Sequence, residues 1–477
     1  MNADAHNVIN ESVKLEGFGS RDLYRRPERI FTRFVGGFFQ RLQFFTGWPL
    51  LVGYFALPWI NWSQQQAVLF DLAAREFHLF TLTFFPQDLW LLGWLLIIAA
   101  FALFTVTTLV GRLWCGFTCP QTVWTAIFMW MEQVAEGPRH TRMRLDNSPW
   151  TLNKVRRRLA KHGMWLGWAG LTGLTFVGYF TPIRALAADL PQFQASTWAM
   201  FWAAFFTVAT YVNAGWLREQ VCIYMCPYAR FQAAMLDQDT LVVSYDAARG
   251  EPRGPRKRTA APEQHASRLG DCINCELCVQ VCPVGIDIRD GLQYQCIGCA
   301  HCVDACDEVM TKMDYPTGLV GYTTERALSG GKTRWLRPRA VGYASVLLIM
   351  ITAFSLAVVS RSALEIDILR ERGALSQVDA SHQTINQYRL KVLNKTQHSQ
   401  TYSIRAISDA PISVERSERL TSLLDSRAGE ALDLPLTLSA PRGALREPSL
   451  PVTIELCEVG TRRCDSEQTT FVPAVTP

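Results

Sequence analysis

The sequence predicts a multi-pass α-helical membrane protein with a small cysteine-rich domain inserted in its second half and a β-sandwich at its C-terminal end. Three observations predict it. Long apolar runs recur through the first 220 residues and once more near residue 350. Twelve of the 14 cysteines fall before residue 310, in spacings that suit metal ligation. From about residue 383, short segments alternate apolar and polar residues between turn residues, the period of half-buried strands.

A helix crosses a bilayer with about 20 mostly apolar residues. Such runs lie at 44–60, 88–111, 163–182, 197–217 and 339–359. The first is short and ends near Pro58. The stretch 117–135 is apolar and Trp-rich, but it follows a Cys-Pro turn and contains Glu132, so an interfacial helix is expected there rather than a sixth span. The 15 Trp and 26 Phe sit mostly in or beside the apolar runs of the first half, which suits rings that gather at membrane interfaces. Residues 1–43 are too long and too charged for a signal peptide, so the first run is expected to stay as an anchor.

Lys and Arg set the orientation. Residues 1–43 hold seven, 61–87 one, 112–162 nine, 183–196 one and 218–338 fourteen. Positive loops stay on the cytoplasmic side. The basic tail 1–43, the loop 112–162 and the segment 218–338 are therefore expected in the cytoplasm, and 361–477 in the periplasm of a bacterial inner membrane. The net charge of +5 is small and gives no case for nucleic-acid binding.

The run 44–217 reads as four transmembrane helices in two repeats. Each repeat ends in a Cys-x3-Cys-Pro motif, Cys115-Gly-Phe-Thr-Cys119-Pro120 and Cys222-Ile-Tyr-Met-Cys226-Pro227. Two thiols four residues apart on a helical turn share a face. Thiolate is a soft ligand that suits Cu(I), and Met225 could add a thioether. Inert buried thiols and a metal-free redox dithiol are the other readings of this spacing. Duplicated helix pairs are a known way to build a site at the repeat interface.

The most specific signal is Cys272-Ile-Asn-Cys275-Glu-Leu-Cys278-Val-Gln-Val-Cys282-Pro283, followed by Cys296-Ile-Gly-Cys299-Ala-His-Cys302-Val-Asp-Ala-Cys306. Two, two and three intervening residues, twice, is the spacing of bacterial ferredoxins that hold two [4Fe-4S] clusters. Three close thiolates take three corners of a cubane, and a distant cysteine from the other run takes the fourth. The expected sets are Cys272, Cys275, Cys278 and Cys306, and Cys296, Cys299, Cys302 and Cys282. Zinc sites also use paired cysteines, but have no use for a third in each run plus a remote fourth. Asp307 stands where a proline often follows the last cysteine. The ferredoxin domain is placed at about 268–312, within the cytoplasmic segment 218–338, before a fifth helix at 339–360.

The stretch 246–268, with Arg249, Pro252, Pro255, Arg256, Lys257, Arg258 and Pro262, reads as a linker. His301, between two cluster ligands, is expected to be a surface residue or a neighbour of the ligands. His78 is expected to be an interfacial histidine rather than a metal or quinone ligand. Segments 388–394, 401–407, 434–438 and 452–456 read as strands of a small sandwich. Cys457 and Cys464 are expected to form a disulfide, in keeping with an oxidising compartment.

At this point the chain resembles a known family. Paired Cys-x3-Cys-Pro motifs followed by paired ferredoxin runs are similar to the membrane polyferredoxins. Within that group, Cys282-Pro-Val-Gly-Ile-Asp-Ile-Arg-Asp-Gly-Leu-Gln293, Asp304-Ala-Cys-Asp307, Tyr322-Thr-Thr-Glu325, Ile368-Leu-Arg-Glu-Arg372 and Asn386-Gln-Tyr-Arg-Leu-Lys-Val-Leu-Asn-Lys395 resemble the FixG/RdxA/CcoG family, from about residue 20 to the end. Val284, His301 and Gly321 are local departures. The resemblance implies a role in maturing cbb3-type cytochrome c oxidase, reduction of Cu(II) to Cu(I), and an immunoglobulin-like domain at 361–477. On that reading Cys115, Cys119, Cys222 and Cys226 are the catalytic copper-holding residues. The expected partners are the lipid bilayer, oxidase assembly factors or copper chaperones, an electron donor, and a second copy in a homodimer. The runner-up is a relay subunit carrying electrons between a quinol and a partner reductase. A non-redox assembly scaffold ranks last, because it leaves eight cluster ligands without a purpose.

Overall fold

The computed structural model describes residues 30–62, 65–256, 269–362, 364–371, 376–379, 383–396, 398–415, 423–427, 429–441, 449–460 and 463–473. Residues 1–29 of the expected basic tail, residues 257–268 of the expected linker, and Arg372 lie outside the described residues.

Five longer helices build the first half: α1 (Phe38–Ala56), α2 (Leu89–Val110), α3 (Pro120–Glu136), α4 (Leu152–Val177) and α5 (Thr197–Thr210). Two helices are long and apolar enough to cross a membrane, Pro86–Val110, which contains α2, and Pro338–Val359. Ile183–Gln192 and Thr197–Leu217 qualify only as a pair, bent by 89° at their break. The runs at 44–60 and 163–182 do not reach that description, for physical reasons. Helix α1 begins early and takes in Gln40, Arg41 and Gln43, with Pro49 inside it. Helix α4 begins in the basic run before Lys161 and ends at Val177.

The loop at 61–87 folds into a three-stranded antiparallel sheet, β1 (Val68–Asp71), β2 (Glu76–Leu79) and β3 (Leu82–Phe84). His78 belongs to it and is buried. Its Nδ1 lies 3.1 Å from Thr83 Oγ1 and its Nε2 3.4 Å from Glu76 Oε2. It is a packed sheet residue.

Glu132 is also inside. Helix α3 is 17 residues long, and Glu132 and Glu136 on it are each 1% exposed. Arg142 Nη1 (3.2 Å) and Arg218 Nη2 (2.9 Å) both reach Glu132 Oε2, and Lys161 Nζ lies 2.8 Å from Glu136 Oε1. Buried carboxylates persist only when paired in this way.

The cysteine-rich part carries β4 (Val242–Tyr245), helix α6 (His301–Met313) and β5 (Val320–Thr323), with β4 and β5 paired antiparallel. Helix α7 (Pro338–Val359) follows and lies along α2, with Trp94 and Phe354 in edge contact at 5.8 Å. The C-terminal part is a two-sheet sandwich. Its strands of three or more residues are β6 (Leu364–Arg370), β7 (Gln383–Asn394), β8 (Gln400–Ile407), β9 (Ser413–Glu415), β10 (Leu423–Ser426), β11 (Ala431–Pro441), β12 (Leu450–Glu458) and β13 (Cys464–Phe471), and the short strand Gln377–Val378 also pairs with β7. One sheet runs β9-β11-β7-β6 and the other β10-β8-β12-β13, every pair antiparallel. Alternation puts Tyr388, Leu390, Leu436, Leu438, Ile454 and Leu456 in one core. The four segments read as strands from the sequence all lie in strands here. Cys457 and Cys464 are directly opposite in β12 and β13 and are joined by a disulfide.

Candidate functional site

The two cysteine loops share one backbone design. The third residue of each, Asn274 and Gly298, and the fifth, Glu276 and Ala300, are left-handed, with φ of 55°, 68°, 58° and 59°. Alternating left-handed residues turn successive N–H groups to one side and form a concavity that favours anions. Glycine takes this conformation freely, whereas the other three hold it against a Cβ penalty. The first loop feeds the short helix Leu277–Gln280 and the second feeds α6.

Two cavities result. One, with about 380 Å³ of empty space, has Cys272, Cys275, Cys278 and Cys306 in its wall. The other, with about 350 Å³, is lined by Cys282, Cys296, Cys299 and Cys302, and Cys278 touches it as well. Each takes three thiols from one loop and a fourth from beyond the other, so the cavities are neighbours. Burial pushes the thiols of Cys278 and Cys282 up to about 11 and that of Cys306 to about 12. Such thiols give up protons to a metal rather than to water. Arg289, held by Asp287 at 2.6 Å and donating to Asn274 Oδ1 at 2.6 Å, brings positive charge toward Cys278 and Cys272. Two sets of four thiols around separate cavities fit the donor set of two [4Fe-4S] clusters.

The Cys-x3-Cys-Pro segments also repeat one local design. Gly111 and Arg218, each four residues before the first cysteine, end their helices with φ, ψ of 54°, −123° and 43°, −111°. In each segment the second cysteine's N–H donates to the carbonyl five residues back, Cys119 to Trp114 (2.9 Å) and Cys226 to Val221 (2.8 Å). Each then caps a helix whose first residue is proline, Pro120 or Pro227, the position where a missing N–H costs nothing. Arg218 holds a conformation that glycine takes more easily. Its carbonyl accepts from Gln121 Nε2 at 3.1 Å and its guanidinium is tied to Glu132.

The four thiols of the two segments lie within electrostatic range of one another. Burial, with Cys119 next and Cys222 and Cys226 adding to it, pushes Cys115 up to about 12. Burial beside Cys119 and Cys226 pushes Cys222 up to about 11. Cys115 Sγ lies 3.6 Å from Oε1 of the fully buried Gln232, whose Nε2 donates to Gly111 O at 3.3 Å. Met225 is 61% exposed.

This thiol group abuts the second cysteine loop. A Cβ on Gly116 would stand 2.7 Å from Gly298 O and 2.9 Å from Cys299 Cα, so only glycine allows this approach. Cys115, Cys282 and Cys299 share one apolar cluster with Val284 and Ile297. Arg112 crosses the junction, donating to Cys296 O and to Ala229 O, each at 3.0 Å. His301 is half-buried, and its Nε2 donates to Gln43 Oε1 at 2.9 Å. Gln43 Nε2 in turn donates to Gly116 O at 2.7 Å.

Sequence reasoning did not single out Arg112, Gln232 or Gln43. Arg112 carried one usable signal, as a lone cation three residues before Cys115. Gln232 and Gln43 carried none, because their partners lie 117 and 73 residues away.

Known proteins match this geometry in three places. Residues 217–325 match the family model described as 4Fe-4S dicluster domain, and residues 92–134 match 4Fe-4S binding domain. Residues 354–473 match the IG-like fold at C-terminal of FixG. The chain is 39% identical over 419 residues to nitrogen fixation protein FixG of Rhizobium meliloti, covering 80% of each. It is 37% identical over 437 residues to protein RdxB of Cereibacter sphaeroides, covering 88% of this chain and 91% of that one. It is 36% identical over 442 residues to protein RdxA of the same organism, covering 88% and 89%. Eight thiols set around two cavities, a second thiol group beside them and similarity along most of the chain make it a member of the FixG/RdxA family, iron–sulfur proteins of electron transfer.

Proposed function

We propose that the chain is a membrane-bound cupric reductase that serves maturation of a cbb3-type cytochrome c oxidase. Cys272, Cys275, Cys278 and Cys306 hold one [4Fe-4S] cluster, and Cys296, Cys299, Cys302 and Cys282 the other. Bound there, the clusters supply electrons one at a time. Cys115, Cys119, Cys222 and Cys226 hold copper, the substrate. Each Cu(II) takes one electron, and soft thiolates favour the Cu(I) product. The observation that carries this reading is the close approach of the Cys115–Gly116 segment to Gly298 and Cys299, which brings the Cys-Pro thiols against the second cysteine loop.

The same reading takes five helices across a bacterial inner membrane, the ferredoxin domain in the cytoplasm and residues 361–477 in the periplasm. Its support is the alternation of Lys and Arg along the loops. The periplasmic domain is the surface for oxidase assembly factors or copper chaperones, and two copies pair as a homodimer.

A second reading has one specific observation in its favour. The match to a 4Fe-4S binding domain over 92–134 takes in Cys115 and Cys119, as a relay subunit between quinol and a partner reductase would have it. One assay separates the two. Protein reduced anaerobically with dithionite and then freed of it is mixed with Cu(II), and Cu(I) is followed as its bathocuproine complex. The cupric-reductase reading expects turnover that falls at least tenfold when the four Cys-Pro cysteines become alanine with iron retained. Equal turnover in both proteins moves the relay reading ahead.

A further inference from the structure

A third cavity, larger than the two thiol cavities, lies beside the cysteine loops. Its volume is about 520 Å³, within the ~300–1,000 Å³ of ordinary small-molecule sites. Its walls come from α1, α3 and α4, from the segment before α1, and from the cysteine-rich domain at Val281 and His301. We propose that this cavity binds the ring of an isoprenoid quinone, with the isoprenoid tail leaving through the open side into lipid.

The lining carries both the apolar and the polar side chains that such a ligand requires. At the open side Phe44, Trp48 and Trp130 are 54%, 49% and 55% exposed. Large exposed rings in one place belong to a membrane interface. Polar side chains line it as well. His301 and Gln43 form a hydrogen-bonded chain that continues to Gly116 O. Thr32 is 5% exposed, and among the described residues its hydroxyl donates only to the thioether of Met129, at 3.6 Å. A thioether is a weak acceptor, so this donor is available to a carbonyl oxygen. Gln40, also in the wall, makes no side-chain hydrogen bond among the described residues. A saturated acyl chain uses none of these groups. A quinone ring presents two oxygens to them and stacks its face on aromatic side chains.

The location supplies the second argument. His301 lies between Cys299 and Cys302 in sequence and lines this cavity, while those cysteines line the second thiol cavity. A ring held against His301 therefore touches the loop that lines the second thiol cavity. The inference rests on the family's electron-transfer chemistry and stands whether or not copper is the final acceptor.

The test uses the whole protein in lipid nanodiscs, with decylubiquinone as probe. Trp48, Trp130 and Trp168 line the cavity, so binding quenches tryptophan fluorescence saturably. Ala126→Phe fills the cavity and should weaken binding at least tenfold with iron content unchanged. Val346→Phe, on an exposed position of α7, should bind like the parent. An azido-quinone should label the peptides carrying Trp48 or Trp130, a result that needs no variant. Absence of saturable quenching in the parent overturns the proposal. So does labelling confined to other peptides, or displacement of the quinone by a saturated fatty acid as readily as by unlabelled quinone. None of these outcomes bears on copper reduction driven by dithionite, so the two readings fail separately.

Discussion

Arg112 Nη1 donates to the carbonyl of Cys296 at 3.0 Å, joining the end of α2 to the second cysteine loop. Its other arm donates to Ala229 O, beyond the second Cys-Pro motif. One guanidinium therefore fixes both motifs against one loop. Hydrogen bonds from a charged donor contribute ~1.5–3 kcal/mol each. A lysine has a single ammonium and cannot span both carbonyls. Arg112→Lys and Arg112→Ala should retain iron but lose about tenfold in Cu(II) reduction, ~1.4 kcal/mol of barrier. Parallel iron assays and single-turnover kinetics check this. Unchanged rates in both variants would show that the junction does not depend on the arginine.

The cavities make a prediction about single ligands. Anaerobic protein should hold about eight iron per chain, four for each cubane. Cys302→Ser removes a thiol from the second cavity alone and should remove about half the iron. Cys278 lines both cavities, so Cys278→Ser should take the first cluster and disturb the second. Electron paramagnetic resonance of the reduced variants distinguishes the two losses. Zinc in place of iron in anaerobic parent protein would contradict the assignment outright.

Topology has its own test. Asp88 starts α2 and is 7% exposed, and the sandwich reaches it through Lys395 Nζ at 3.3 Å and through Arg361. Gly429 meets Thr83 on the same side. If the sandwich sits on the periplasmic end of α2, a reporter fused after residue 290 should score cytoplasmic and one at the C-terminus periplasmic. Both reporters on one side would contradict five spans. Asp88→Asn should loosen the sandwich from the helix, seen as faster proteolysis after Val359 with the sandwich itself intact.

The disulfide gives a stability prediction. Cys457 and Cys464 close a hairpin at directly paired positions of β12 and β13. The chain-entropy estimate for so small a loop is ~2 kcal/mol. Cys457→Ala with Cys464→Ala should lower the stability of the sandwich by about that amount in urea titration and leave iron untouched. Quantitative thiol labelling of both cysteines in unreduced protein would rule the disulfide out.

What could be read from the sequence was local. The ferredoxin runs are legible because three ligands fall within seven residues, and the strands because alternation is a property of neighbours. The Cys-Pro repeats showed for the same reason. What could not be read depends on distant partners. The burial of Glu132 could not be read, because nothing nearby shows that Arg142, Arg218 and Lys161 gather around it. The burial of His78 could not be read, because the sheet that buries it is built from two turns within a loop. The large cavity is made by four separated stretches of chain, and no pattern within any one of them announces it.

On the proposed function, the four Cys-Pro thiols hold copper while the eight ferredoxin thiols hold iron. The most direct measurement is metal analysis of purified protein, iron and copper together, after anaerobic exposure to Cu(I) and desalting. Parent protein and a variant with Cys115, Cys119, Cys222 and Cys226 all changed to Ala are compared. The account predicts about eight iron per chain in both, and copper bound in the parent alone. Copper retained by the variant, or iron lost with the four thiols, would contradict it.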